Sequence, residues 1–108
     1  MAKRENQFQA ELIKDIKIRF PGSMVLKNDP NYIQGIPDLL ILNGDQWAAL
    51  ECKQSLNSKT RPNQPYYVEK MNEMSFAAFI CPENKEDVLN DLSQSFESVR
   101  STCVSRSK

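Results

Sequence analysis

Ile36-Pro37-Asp38-Leu39-Leu40-Ile41-Leu42-Asn43-Gly44-Asp45-Gln46-Trp47-Ala48-Ala49-Leu50-Glu51-Cys52-Lys53 is the stretch around which the rest of the chain can be organised. Residues 37–42 are an apolar run that reads as a strand, Asn43-Gly44-Asp45 is a hairpin signal, and residues 46–53 read as a second strand. A two-residue loop makes cross-strand partners sum to an odd number. With Gly44-Asp45 as the loop, Asn43 faces Gln46, Leu42 faces Trp47, and Asp38 falls directly opposite Glu51. An Asn43-Gly44 turn moves Glu51 by one pair but keeps its face, whereas a three-residue loop without a bulge destroys the arrangement. Pleat alternation also sets Glu51 and Lys53 on one side.

Two carboxylates and a lysine at adjacent strand ends fit a divalent cation and an activated water. Mg²⁺ takes oxygen ligands in octahedral geometry, keeps several waters, and is usually held by one or two carboxylates plus substrate phosphate. Asp38 and Glu51 offer those oxygens, and the backbone carbonyl of Cys52 a third. Lys53 can orient or help deprotonate the attacking water, or neutralise charge building on a phosphate. Phosphodiester hydrolysis needs these parts, with Mg²⁺ as the expected ion and Mn²⁺ as its substitute.

Composition narrows the setting. A chain of 108 residues, 40% of them apolar, can bury one core but hardly two, so residues 1–97 are expected to form a single domain. Cys52, Cys81 and Cys103 are odd in number and lack zinc spacing, and the chain has no histidine. A reducing cytoplasm, bacterial or that of a phage-infected host, is the expected compartment, and disulfide frameworks, zinc fingers and histidine-based nuclease motifs are set aside. No apolar run reaches membrane-spanning length and no signal-peptide pattern is present.

Zero net charge argues against a nucleic-acid partner, because phosphate binding is driven by Lys and Arg. The charges are segregated, however. Residues 1–28 carry six basic and three acidic side chains, and residues 52–70 carry four and one. Residues 29–51 hold four acids and no base, and residues 71–97 hold six acids against Lys85. Such blocks place an acidic centre between basic segments, with Lys27, Lys59, Arg61 and Lys70 as candidate phosphate contacts; the plainer reading is a mixed solvated surface.

The pattern Gly35-Ile36-Pro37-Asp38-Leu39-Leu40-Ile41 followed by Glu51-Cys52-Lys53 resembles the PD-(D/E)xK nuclease superfamily, and its Gly-x-Pro-Asp form is similar to the VRR-NUC (virus-type replication-repair nuclease) branch. Holliday-junction resolvases are relatives of the same type. The resemblance spans roughly residues 4–82. It implies an α/β, restriction-endonuclease-like αβββαβ core with a mixed central sheet flanked by helices. It also implies an acid on the first helix and a glutamine opening the helix after the Glu-x-Lys strand.

Periodicity finds candidates for both. On a helix over residues 4–20, Phe8, Leu12, Ile13, Ile16 and Phe20 form one stripe at about 100° per residue. Glu5 lies near its centre, seven residues before Leu12, whereas Glu11 projects off it. Glu5 is thus the candidate inward acid, where a metal-water shell would make it tolerable; alternatively, it is a first-turn acid favoured by the helix dipole. Gln64 follows a helix-start signature, Thr60-Arg61-Pro62-Asn63, and leads a stripe continued by Tyr67, Met71 and Met74. The resemblance puts its amide near metal-bound water or phosphate; a plain helix-start polar residue is the other reading.

The expected order is helix, three strands (the first over residues 23–27), helix, strand (residues 75–81) and a C-terminal helix over residues 83–96 with Val88, Leu89, Leu92 and Phe96 inward. Residues 98–108, serine-rich and basic, are expected to be a loose tail. Two readings follow. One is a Mg²⁺-dependent DNA endonuclease acting on branched or duplex DNA in replication, recombination or repair, and working as a homodimer, since symmetric cleavage of two strands needs two sites. Tyr32, Ile33, Ile36 and Met24 are its candidate apolar interface residues. The other is a catalytically idle nucleic-acid-binding or accessory protein on the same fold.

Overall fold

The computed structural model describes the backbone of residues 2–29, 31–57 and 64–106, and side chains within 7–29, 31–57 and 65–97. The elements run α1 (Ala2–Arg19), β1 (Met24–Lys27), β2 (Leu39–Asn43), β3 (Gln46–Cys52), α2 (Gln64–Met74), β4 (Phe76–Ile80) and α3 (Lys85–Arg106). The four strands form one sheet in the order β1-β2-β3-β4. β1 and β3 are antiparallel to β2, and β4 runs parallel to β3. This is the mixed sheet with flanking helices that the sequence implies.

Alternation along the strands divides the core. Leu39 and Ile41 of β2, Ala48, Leu50 and Cys52 of β3, and Ile80 of β4 join Phe8, Leu12, Ile16 and Phe20 of α1 and its C-terminal end, and Val88, Leu89, Leu92 and Phe96 of α3. Leu12, Ile16, Leu39, Ile41, Leu50 and Leu92 are fully buried, and Phe20 meets Phe96 edge to face at 5.3 Å. On the opposite sheet face, Val68 of α2 packs on Ala49 and Ala77, flanked by Trp47, Met71 and Phe79. α1 and α3 are also tied at the surface, by Lys85 to Asp15 and by Arg19 to Glu86 at 3.3 Å. No helix among the described residues is long and apolar enough to cross a membrane.

Three local expectations need correction. β2 begins at Leu39 rather than at Pro37, because Pro37 has no N–H to give the ladder. Met74 is exposed rather than inward. The small side chains of Ala49 and Ala77 let Val68 approach the sheet, and Met74, six residues on, then lies about 120° around the helix. α3 continues to Arg106 instead of giving way to a loose tail after residue 97. Nothing between Ser98 and Arg106 is a Gly or Pro, so the chain contains no local signal to stop it.

Candidate functional site

The hairpin loop sets the site. Gly44 has φ 67°, no non-glycine residue has positive φ among the described residues, and Asn43 pairs with Gln46. Gly44-Asp45 is therefore a two-residue loop with a left-handed first position, the arrangement of a type II′ turn. The register runs Leu42 with Trp47, Ile41 with Ala48, Leu40 with Ala49 and Leu39 with Leu50. One step further sets Asp38 opposite Glu51, as the Gly44-Asp45 reading requires.

Asp38 is delivered by the loop between β1 and β2. Gly35, buried with φ 88°, makes the turn that no β-carbon would favour, and buried Pro37 leads out of it. Half-buried Asn28 donates its backbone N–H to the Asp38 carbonyl and its side-chain Nδ2 to the Pro37 carbonyl, both at 2.8 Å. From the other side, Asp38 Oδ2 accepts the backbone N–H of Cys52 at 3.0 Å. That side-chain bond takes the place where the β2–β3 ladder has run out at Pro37. Because the N–H and C=O of one strand residue leave on the same side, the Cys52 carbonyl also projects toward Asp38's strand. The Cys52 thiol belongs to the opposite, α1-facing core and offers no ligand to this face.

Glu51 and Lys53 are 3% and 9% exposed. Alternation from Leu50 and Cys52 sets both on the α2 side of the sheet, the side Asp38 shares. Glu51 pairs with Phe79 in the parallel β3–β4 register, and the Lys53 ammonium stands over the Phe79 ring, 5.6 Å from its centroid. The Lys53 N–H donates to the Ile80 carbonyl at 2.8 Å, which anchors the lysine one residue past β3. Asn84, just before α3, holds the end of β4: its Oδ1 accepts from the Cys81 N–H and its Nδ2 donates to the Phe79 carbonyl. Lys53, Ser55, Leu56, Phe79, Cys81 and Asn84 line a cavity of about 180 Å³ beside the pair.

The described residues thus bring Asp38, Glu51, Cys52 and Lys53 together. They contain no group of three or more His, Cys, Asp or Glu side chains able to hold a metal ion; the protein donors to an ion here would be two carboxylates and a backbone carbonyl. That set of hard oxygens suits Mg²⁺, which leaves the remaining positions to water and phosphate. The Glu5 and Gln64 side chains lie outside the described residues, as do Lys59 and Arg61 altogether. Gln64 opens α2 one turn before Val68. The α1 stripe of Phe8 and Leu12 packs on the sheet face opposite Glu51. Glu11 is exposed and, with Gln7, Gln54 and Lys85, lines a larger cavity of about 450 Å³ just past Lys53. Lys27 and Lys70 are both exposed; alternation puts Lys27 with Val25 on the α1 side of the sheet, whereas Lys70 stands on the outer surface of α2, the helix that packs on the side of the site.

Asn28, Asn84 and Phe79 are positioned here without having been singled out from the sequence. Asn28 carried a local signal, since it directly follows a strand and precedes a polar loop. Asn84 and Phe79 reach the site only through the β3–β4 pairing.

No family model matches this chain, and no curated protein matches it. A search of solved structures found a VRR_NUC domain protein with a TM-score of 0.62 and 15% sequence identity, covering 87% of this chain and 88% of that one. At that identity the likeness concerns the backbone arrangement: this chain has the fold of a VRR-NUC domain protein, of the restriction-endonuclease-like type.

Proposed function

We propose that this chain is a Mg²⁺-dependent endodeoxyribonuclease that hydrolyses phosphodiester bonds. The observation that carries this reading is the hairpin register that sets Asp38 opposite Glu51, with Lys53 buried on the same face. The nuclease-type fold of the structural neighbour supports it. Asp38, Glu51 and the Cys52 carbonyl would hold the ion, and Mn²⁺ would substitute for Mg²⁺. When bound, such an ion polarises a phosphoryl oxygen and lowers the pKa of water. Asp38 and Glu51 fix the position of the charge. Lys53, held over Phe79 and so limited in its freedom, brings a positive charge and three donors to the scissile phosphate or the attacking water. Gln64, and Glu5 if α1 brings its carboxylate around the strand ends, complete the proposed catalytic set. Lys27, Lys59, Arg61 and Lys70 are the proposed phosphate contacts. The substrate class we favour is branched DNA, cut in the cytoplasm by a homodimer as in Holliday-junction resolution, because one chain presents one such site.

The test is cleavage of labelled duplex, flap and four-way junction DNA with and without Mg²⁺, alongside sedimentation of the protein at the same concentrations. Metal-dependent products, with the junction preferred by a dimeric species, are expected. Binding without cleavage in Mg²⁺ or Mn²⁺ would leave a catalytically idle DNA-binding protein instead.

A further inference from the structure

We infer that Asn28 is the positioning residue of this site, fixing the backbone around Asp38 so that its carboxylate is aimed for a divalent cation; this rests on the reading of Asp38 and Glu51 as the metal-holding pair. The Pro37 carbonyl belongs to the peptide plane before the Asp38 α-carbon, and the Asp38 carbonyl to the plane after it. Asn28 grips both, with Nδ2 on the first and the backbone N–H on the second, each at 2.8 Å. Fixing both planes fixes φ and ψ at Asp38, and with them the direction of its side chain.

The ladder alone cannot do this. Regular β1–β2 pairing ends at Lys27 with Leu39, and Pro37 has no N–H to contribute. The Asn28 backbone bond extends the ladder by one step; only its side chain reaches the plane before Asp38. Alternation from Met24 and Leu26 puts Asn28 on the same sheet face as Asp38. Asp38 is then held from both neighbouring strands, by Asn28 through the backbone and by the Cys52 N–H at Oδ2. Asn28 itself acts on the carboxylate only through the peptide.

The test compares the full chain with Asn28→Ala, which deletes the side-chain donor, and Asn28→Asp, which keeps the shape but can only accept and so cannot bond the Pro37 carbonyl. Two readouts are taken: Mn²⁺ affinity by calorimetry, and backbone amide exchange of Cys52 and Lys53 without metal. Outer partners of metal ligands typically matter by about 10–100-fold in affinity, so both variants should weaken Mn²⁺ binding on that scale. The Cys52 amide, which depends on the Asp38 carboxylate, should exchange faster, while the Lys53 amide, bonded to Ile80 across β4, should keep its protection. Unchanged Cys52 exchange overturns the inference. So does equal acceleration at Lys53, which would make Asn28 merely a fold-stabilising residue, and so does parent-like Mn²⁺ affinity in the variants of a parent that binds. A parent that binds no Mn²⁺ defeats the metal reading separately, and the exchange rates then decide the role of Asn28 alone.

Discussion

Glu51 and Lys53 carry opposite charges two residues apart on one strand end, nearly excluded from water, and neither would be retained there by packing alone. Asp38→Asn and Glu51→Gln should each abolish cleavage, with rates falling by several orders of magnitude. The fold should remain intact or gain stability, because each change removes a negative charge from a facing acidic pair. Parent-level rates in either variant, measured at saturating Mg²⁺, would sink the assignment. Lys53→Ala should lower the rate by orders of magnitude yet keep Mg²⁺ affinity, since the lysine is proposed to act on water and phosphate; calorimetry showing affinity falling in step with rate would make it structural. The two acids of α1 can be separated in the same assay. Glu5→Gln should impair catalysis and Glu11→Gln should behave like the parent, although Glu11 lines the cavity beside Gln54. A larger effect at Glu11 would show that the acid serving the site stands in this cavity, and that Glu5 is only a first-turn residue of α1.

At the scale of elements, the β2–β3 hairpin governs the site because its loop sets the register. Gly44 adopts φ 67° with open space around a hypothetical β-carbon, so substitution there meets backbone strain and no clash. Gly44→Ala should cost about 1–2 kcal/mol in urea unfolding, and Gly44→Asn less, since asparagine enters this region more readily. A cost near zero for Gly44→Ala would mean that the loop is not held in the II′ form. Leu50, fully buried between the helices and the sheet, should be far more sensitive, with Leu50→Ala costing about 2–5 kcal/mol. The exposed pair between Arg19 and Glu86 belongs at the other end of the range: Glu86→Ala should cost less than about 1 kcal/mol, because solvent screens it.

Across the whole molecule the net charge is zero, so any affinity for DNA must come from the arrangement of charges. Binding measured in Ca²⁺, which should permit association without hydrolysis, ought to weaken with salt at a log–log slope of about −0.9 per duplex phosphate contacted. Replacing Lys59 and Arg61 together by alanine should make that slope shallower by roughly one unit per lost contact, for all sequences alike. Lys27 lies on the α1 side of the sheet and Lys70 on the helix that packs on the side of the site, so Lys70→Ala should change the slope more than Lys27→Ala does. A parent-like slope in the Lys59, Arg61 double variant would take the loop after Lys53 off the DNA face.

The parts legible in the sequence are those governed by near neighbours. Period-two alternation in residues 37–53 and a two-residue turn signal put Asp38 and Glu51 on one face whichever of the two loops forms; that Gly44-Asp45 is the loop, and so that the two carboxylates stand directly opposite, was decided by the folded hairpin. The α1 stripe of Phe8, Leu12, Ile16 and Phe20 followed in the same way from a 3.6-residue period. The grip on Asp38 could not be read there, because it depends on which groups meet across the sheet. Asn28 reaches Pro37 from just past the end of β1, and the Cys52 N–H reaches Asp38 where the ladder stops at a proline. The support beneath Lys53 comes from the parallel partner β4, separated from it in sequence by all of α2. The phase of α2 likewise depends on two alanines in distant strands that admit Val68, which turned Met74 outward. Local propensities select elements and the face that the residues of a hairpin share. Which face of α2 is buried, and which backbone groups hold the carboxylates, is decided by long-range packing and hydrogen bonds that exist only once the sheet has closed.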